Sequence, residues 1–159
     1  MPDFSGRLRA SGRVAILVSR YNELITAKLL EGALACCQEA GVGRADIDVI
    51  WVPGAFELAA AAAAAADTQR YTCLVALGAV IRGETPHFEY VAGEAARGLN
   101  AVAVHQRLPV GFGVLTVDTM QQALDRAGGD AGNKGREAAE AALLTADVLA
   151  QLRTHHAPD

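Results

Sequence analysis

The chain has 159 residues, enough for one domain with a substantial core, and its composition excludes several classes of protein. A formal net charge of −4 at pH 7 provides no basic stripe for binding a nucleic acid. Hydrophobic residues make up 52% of the chain, but no apolar run approaches the ~20 residues that span a bilayer. The amino terminus also lacks the layout of a signal peptide. We therefore expect a cytoplasmic protein that binds neither nucleic acid nor membrane.

The chain divides into one domain and two short end segments. The first twelve residues are polar and include glycines, with little to hold them on the rest of the chain. We predict an amino-terminal segment at 1–12, one domain at 13–153 and a flexible tail at 154–159. The three cysteines show no metal-ligand or redox spacing, which indicates buried reduced thiols.

Apolar strands alternate with helical patterns along this domain. The strands are short and continuously apolar, as in a sheet buried on both faces: Val14–Val18, Ile47–Val52, a third from Cys73, and Val110–Val117. Helical spacing follows each strand, in segments that begin after Asn22, near Ala55, near Pro86, near Met120 and near Asn133. The alternation predicts right-handed crossovers and an α/β three-layer sandwich, with helices on both faces of a parallel sheet.

Caps and helix breakers predict where the helices begin and end. We predict that Asn22 and Thr85 are N-caps and that Pro86 is the first residue of its helix. Gly41 should end the first helix. The last helix is predicted to run over 133–152.

Ligands of parallel sheets bind where the strands end, and three of the connecting segments there carry chemically useful groups. Tyr21 follows the first strand, Glu57 the second and His87 the third. Residues 82–87 pass from strand to helix, so free N–H groups and a positive dipole end face one spot that suits phosphate. His87 can move a proton there, although a lone histidine in such a turn is more often simply solvated. The crowding of these groups into one turn favours a functional site.

Five blocks of sequence follow one another through these segments. They are Ser-Arg-Tyr-Asn at 19–22, Val-Pro-Gly-Ala-Phe-Glu-Leu at 52–58, Gly-Ala-Val-Ile-Arg-Gly-Glu-Thr-Pro-His at 78–87, Gly-Val-Leu-Thr with Asp-Thr within 113–119, and Arg-Ala-Gly with Ala-Gly-Asn-Lys-Gly within 126–135. Together they resemble the lumazine synthase family of riboflavin biosynthesis, over residues about 13–152. Neither a Gly-x-Gly-x-x-Gly fingerprint nor a Walker loop occurs, so we expect no nucleotide cofactor.

The resemblance implies a flavodoxin-like fold and a specific reaction. Family members condense 5-amino-6-(D-ribitylamino)uracil with 3,4-dihydroxy-2-butanone 4-phosphate to give 6,7-dimethyl-8-ribityllumazine. An imine forms, phosphate is eliminated, and ring closure loses water. The resemblance implies that no cofactor and no metal take part.

The resemblance also implies roles for the polar residues. His87 would be the acid–base residue. Glu84 and Thr85, largely through backbone N–H groups, would hold the phosphate together with Arg126, and Lys134 is a further candidate at the phosphate end. Without the resemblance, Arg126 would be interpreted as a solvated charge near a helix C-terminus.

The remaining implied contacts concern the ring and the ribityl chain of the substrate. Tyr21 stands where the family stacks an aromatic ring, often Phe or Trp, on the pyrimidine. Glu57 would accept from sugar hydroxyls, and as a first-turn carboxylate it would also favour the helix dipole. The other implied substrate contacts are Ala55 and Phe56 at the ribityl chain, Ala79, Val80 and Ile81 at the ring, and Phe112, contributed by the adjacent subunit.

The resemblance further implies a homo-oligomer. Its unit would be a pentamer with active sites between adjacent subunits, in which residues 1–12 add a strand to the neighbour's sheet. Some members stop at pentamers or decamers. The short break at 128–132 is similar to that of members that assemble a 60-subunit shell, and we expect a shell here.

Two other functions fit parts of the pattern. A module that binds a flavin or ribityl compound without turnover would keep Tyr21 and Glu57, but it would not need Arg126 and His87 together. A shell protein that had lost catalysis would tolerate the eight alanines at 59–66 but would not retain the phosphate and proton-transfer positions. The sequence therefore favours the enzyme.

Overall fold

The computed structural model describes residues 1–155, which form a parallel sheet between two layers of helices. The strands are β1 (Arg13–Ser19), β2 (Ile47–Val52), β3 (Tyr71–Ile81) and β4 (Val110–Val117), in the spatial order β2-β1-β3-β4. The helices are α1 (Glu23–Glu39), α2 (Leu58–Asp67), α3 (His87–Gln106), α4 (Met120–Asp125) and α5 (Lys134–His155). The predicted flavodoxin-like three-layer sandwich is confirmed. None of the helices within the described range is long and apolar enough to cross a membrane.

The central strand β1 holds the two layers together. Residues Val14, Ile16 and Val18 pack under α1 and α5, whereas Ala15 and Leu17 pack under α2 and α3. All five side chains are fully buried. Each fully buried Val, Leu or Ile side chain contributes about 1.5–3 kcal/mol to folding, so this alternation fixes the strand between the layers.

The order of the strands creates a crevice where the strands end, on the carboxyl side of the sheet. From β1 the chain passes to β2 on one side, and β3 and β4 then lie on the other side. The connections therefore diverge at the carboxyl ends of β1 and β3. Open α/β sheets bind ligands at such a switch point, which places the candidate site between these two strand ends.

Two predicted helix starts need correction. Asn22 occupies the N-cap position of α1, but its side chain forms no cap and its φ is 63°, in the left-handed region. The N-cap of α3 is Pro86, and Thr85 is not. With ψ of 5°, Pro86 lies outside the helical range, so α3 begins at His87, one residue later than predicted.

The carboxyl-terminal helix is longer than predicted. It runs to His155, so residues 154 and 155 are helical, while residues 156–159 of the predicted tail lie outside the described residues. Asn133 caps its start, since Oδ1 accepts from the backbone N–H of Arg136 at 3.0 Å. The predicted break at 128–132 is a small hairpin of two strands, β5 (Ala127–Gly129) and β6 (Gly132–Asn133).

All three cysteines are buried and reduced, as the sequence predicted. Burial raises the pKa of the Cys37 thiol to about 11 and that of Cys73 to about 12. Both are therefore neutral thiols at physiological pH and pack as small apolar groups.

The amino-terminal segment is held on its own chain, contrary to the expectation from its composition. Asp147 of α5 is only 2% exposed and accepts from the backbone N–H of Arg7 at 2.8 Å and from Nε of Arg9 at 2.7 Å. Further along, the Phe4 ring meets the His155 ring edge-on, 5.1 Å between centroids. Within the described residues the segment joins no strand of the sheet. It lies along α5 instead.

We predict that Asp147 anchors this segment in a pH-dependent way. The hydrogen bonds from Arg7 and Arg9 hold the pKa of its carboxyl below the ordinary value of 3.8. A carboxyl whose pKa falls on folding stabilises the fold above its ordinary value, and the contribution is lost as pH falls through the lower folded value. Asp147→Asn should therefore lower the free energy of unfolding at pH 7.

The measurement is urea unfolding of native protein and Asp147→Asn over a series of pH values. The difference between them should shrink as pH falls below 3.8. The matched control is Asp130→Asn, which removes an exposed carboxyl in the β5–β6 turn and should differ little from native protein at any pH. A constant Asp147→Asn difference across the series would contradict the anchor.

Candidate active site

Tyr21 presents an open aromatic face at the end of β1. Its backbone N–H donates to the Pro53 carbonyl at 2.9 Å, which ties the segment after β1 to the segment after β2. Its ring lies against Gly54, where an added Cβ would come within 2.7 Å of a ring carbon. The side chain is nevertheless 66% exposed. Tyr21 therefore rests against Gly54 and leaves most of its ring exposed, where a planar ligand can stack on it.

Glu57 lies beside this ring, in the 3₁₀ turn Ala55–Glu57 that precedes α2. Its Oε1 accepts from the backbone N–H of Gly54 at 3.0 Å, so the carboxylate caps the turn. Among the described residues Oε2 has no hydrogen-bond partner and remains able to accept from a ligand hydroxyl. Phe56 is mostly exposed and Ala55 is buried beneath it.

The end of β3 lies next to the segment that follows β1. Ala79, Val80 and Ile81 pair with the last residues of β4, and the first two side chains are buried. Nδ2 of Asn22 donates to the Ala79 carbonyl at 3.1 Å, across the switch point. This hydrogen bond was missed by sequence reasoning, which gave Asn22 a capping role. The signal for it is weak, since asparagine favours both caps and left-handed turns.

The turn at 82–86 leads from β3 to α3, and His87 opens that helix. Glu84, Thr85 and His87 are all exposed. The N–H groups of the first turn of α3 and its positive dipole end face the same region, which suits an anion. We call Tyr21, Glu57, His87 and the end of β3 at 79–81 the switch-point group.

A second set of candidate residues lies elsewhere. Phe112 is 46% exposed on the edge strand β4 and pairs with Ala76, whereas the end of β3, Ile81, pairs with Val117. At ~3.3 Å per residue, Phe112 is about 16 Å along the strand from the switch-point edge. The structure therefore does not bring Phe112 together with Tyr21 of the same chain.

Lys134 lies near Phe112, and Arg126 is joined to Lys134 through the backbone. Lys134 lines the same groove as Phe112, and its backbone N–H donates to the Arg126 carbonyl at 2.8 Å. The Lys134 ammonium is 3.6 Å from the Glu137 carboxylate. The Arg126 guanidinium donates to the Gln122 carbonyl at 3.0 Å, as expected near a helix C-terminus, and its other N–H groups stay available. We call Phe112, Arg126 and Lys134 the edge group.

The two groups contain different chemistry. The switch-point group offers an aromatic face, a carboxylate, a histidine and a helix N-terminus. The edge group offers an aromatic ring and two cations. Among residues 1–155, no cluster of three or more His, Cys, Asp or Glu side chains is arranged to hold a metal ion.

One comparison with known proteins bears on this arrangement. A model of the family described as 6,7-dimethyl-8-ribityllumazine synthase matches residues 11–150. The match includes every candidate residue from Tyr21 to Lys134. It therefore spans both the switch-point group and the edge group.

We predict two contributions of Asn22 at the switch point: asparagine tolerates the left-handed backbone there, and its amide hydrogen bond joins two segments. Asn22→Ala should lower the free energy of unfolding by about 1–2 kcal/mol, because alanine tolerates a left-handed backbone less well than asparagine and one hydrogen bond is lost. Asn22→Gly loses only the hydrogen bond, so its effect should be smaller. Urea unfolding of the two variants measures the difference, and equal losses would contradict a strained backbone at this position.

Proposed function

Because the chain belongs to the 6,7-dimethyl-8-ribityllumazine synthase family, we propose that its switch-point group and the edge group of a neighbouring subunit form one active site. The chain is a transferase of riboflavin biosynthesis that makes the lumazine from the ribitylaminouracil and the four-carbon phosphate. One observation carries the proposal for the site. Phe112 is about 16 Å from the switch-point edge of its own chain, so it can line such a site only in a neighbour.

The switch-point group holds the ribitylaminouracil. The pyrimidine stacks on the open face of Tyr21, and the neighbour's Phe112 covers its other face. The backbone at Ala79–Ile81 forms the wall of the slot. Oε2 of Glu57 accepts from ribityl hydroxyls while Oε1 stays on the Gly54 N–H, so the turn that binds the sugar is already ordered before binding.

The phosphate of the second substrate binds where α3 begins. Backbone N–H groups of Glu84 and Thr85 face it, together with the positive end of α3. The carboxylate of Glu84 would repel phosphate, which limits that residue to its backbone. The neighbour's Arg126 supplies a bidentate fork that stays charged throughout the reaction, and Lys134 adds a second cation.

His87 moves protons during the reaction. Imine formation, loss of phosphate and ring closure each need a proton delivered or removed, and an imidazole can do both near neutral pH. His87 is exposed in the single chain, so the neighbouring subunit must cover it to exclude water. The chemistry is then completed only in the assembly.

The assembly that fits this site is a pentameric ring. A ring repeats one heterologous contact, in which the switch-point edge of each subunit meets the edge group of the next. Within the described residues, β2 and β4 are the edge strands of the sheet, and an edge strand can pair with a strand from another chain. Residues 1–12 would reach a neighbour's edge strand only by leaving α5, on which Asp147 holds them in the single chain. The largest assembly we propose is a cytoplasmic shell of 60 subunits built from such rings.

The test of the activity is direct. Purified protein mixed with both substrates should form the lumazine chromophore faster than the uncatalysed background. Binding of the ribitylaminouracil without any turnover would overturn the catalytic proposal in favour of a binding module. Absence of both turnover and binding, with an intact particle, would identify a shell protein.

His87→Ala should lower kcat by about 10²–10⁴-fold, the usual contribution of a general acid–base group, and leave binding of the ribitylaminouracil nearly unchanged. The measurement pairs steady-state rates with equilibrium binding of that substrate. The control is His105→Ala, which removes an exposed imidazole near the other end of α3. A loss of binding as large as the loss of rate would make His87 a ligand contact.

Mixed assemblies test whether the site is shared. His87→Ala and Arg126→Ala chains should each be poorly active alone, but co-expressed in equal amounts they should recover about a quarter of the native activity. In that fraction of contacts, an Arg126→Ala chain supplies His87 and its neighbour supplies Arg126.

The matched control combines His87→Ala with Glu57→Ala, since both residues belong to the switch-point group. This pair should show only the mean activity of its two parents. The particles of the first pair must be shown by mass to contain both chains. If their activity does not exceed the mean activity of the His87→Ala and Arg126→Ala parents, Arg126 acts in the site of its own chain.

A further inference from the structure

We propose that Arg82 is a positioning residue that fixes the turn carrying His87, by joining both ends of that turn to the end of β4. The inference rests on the proposed function, because it concerns the same site. It extends that function to a residue that neither contacts the substrate in the proposed mechanism nor belongs to the switch-point or edge group.

Arg82 begins the turn and also contacts the residues that follow it. Its backbone N–H donates to the Val117 carbonyl at 2.8 Å, which fixes the first residue of the turn to β4. Its guanidinium carbon lies 4.3 Å from the centre of the Phe88 ring, and Nη1 is 3.7 Å from the Glu89 carboxylate. Arg82 lies before His87 in the chain, and its side chain contacts the two residues that follow His87.

The Arg82 side chain is also bound to a third segment, the residues after β4. Nε of Arg82 donates to Oδ1 of Asp118 at 2.8 Å, just beyond the end of β4. Asp118 is itself held, since its backbone N–H donates to Oε1 of Gln122 at 2.8 Å. Thr119 caps the same helix by accepting from the Gln122 N–H at 3.1 Å. The anchor is thus part of the ordered start of α4.

The turn has few other restraints. Among the described residues, no side chain of 83–86 donates or accepts a hydrogen bond or forms an ion pair. Its backbone is tied only at the ends, by the Arg82 N–H and by the Glu89 N–H, which donates to the Pro86 carbonyl at 3.1 Å. The contacts at the two ends of the turn therefore determine the direction of the Glu84 and Thr85 N–H groups. They also determine the position of His87.

Global stability does not account for these contacts. The Arg82 side chain is 45% exposed and the Asp118 side chain is 63% exposed, and exposed ion pairs of this kind add little to folding stability. A misplacement of about 1 Å at a reacting group, by contrast, can cost a hundredfold in rate. The geometry serves positioning more than it serves folding.

Arg82→Met keeps much of the apolar stem and removes every polar contact of the guanidinium. We expect kcat to fall by about tenfold to a hundredfold. The KM for the four-carbon phosphate should rise, because the N–H groups of the turn lose their alignment. The KM for the ribitylaminouracil should stay near the native value, since Tyr21 and Glu57 lie on other segments. Arg82→Lys, which keeps a cation beside Asp118, should recover part of the rate.

Asp118→Asn tests whether Arg82 acts through its anchor. The double variant with Arg82→Met should be no slower than Arg82→Met alone, whereas independent residues would give the product of both losses. The matched control is Arg97→Met, which breaks an exposed pair with Glu94 at 2.7 Å on α3, away from the turn. It should leave kcat and both KM values unchanged.

Hydrogen exchange separates this inference from the activity itself. In Arg82→Met the peptide covering 80–91 should exchange faster than in native protein, and in Arg97→Met it should not. This result is expected whether or not the native protein makes lumazine. If the native enzyme is active and Arg82→Met matches it in kcat, in both KM values and in exchange, the inference is overturned. Equal losses in Arg82→Met and Arg97→Met would likewise overturn it.

Discussion

Complete burial of β1 on both faces is the constraint on which the rest of the structure depends. A strand covered by α1 and α5 on one face and by α2 and α3 on the other lies in the middle layer. There β1 pairs with β2 along one side and with β3 along the other. The chain therefore leaves β1 in one direction for β2 and reaches β3 in the other. The crevice lies between the ends of β1 and β3, which Tyr21 and the His87 turn follow in the chain, and it is a direct result of that divergence.

The same sheet divides the chemistry between two places. Parallel strands place their carboxyl ends at one edge, which collects the aromatic face, the carboxylate and the histidine. Phe112 lies early in β4, and the hairpin after α4 returns the chain so that Lys134 reaches the groove beside it. One chain thus carries the switch-point group and the edge group at separate positions, and the proposed contact between copies would join them.

Much of the fold was predictable because it depends on local pattern. Continuous apolar runs identified the four strands, and the helix-to-strand alternation gave the layers. Predictions failed where a side chain has a distant partner. Asn22 satisfies every local criterion for a cap, yet its amide reaches the Ala79 carbonyl of another strand. Asp147 lies on a helix whose pattern gave no sign that Arg7 and Arg9 bury it. The site residues came from ordered motifs, but their division into two groups required the register of β3 and β4.

The contact between the Phe4 and His155 rings has a consequence for the order of the sequence itself. It places Phe4 beside His155, at the carboxyl-terminal end of α5. Domains whose termini lie close together tolerate circular permutation. A short linker could therefore join the two ends, and new termini could be opened in the exposed turn before β2 without cutting the sheet or the site. The protein could then display fused sequences from a different face of the subunit.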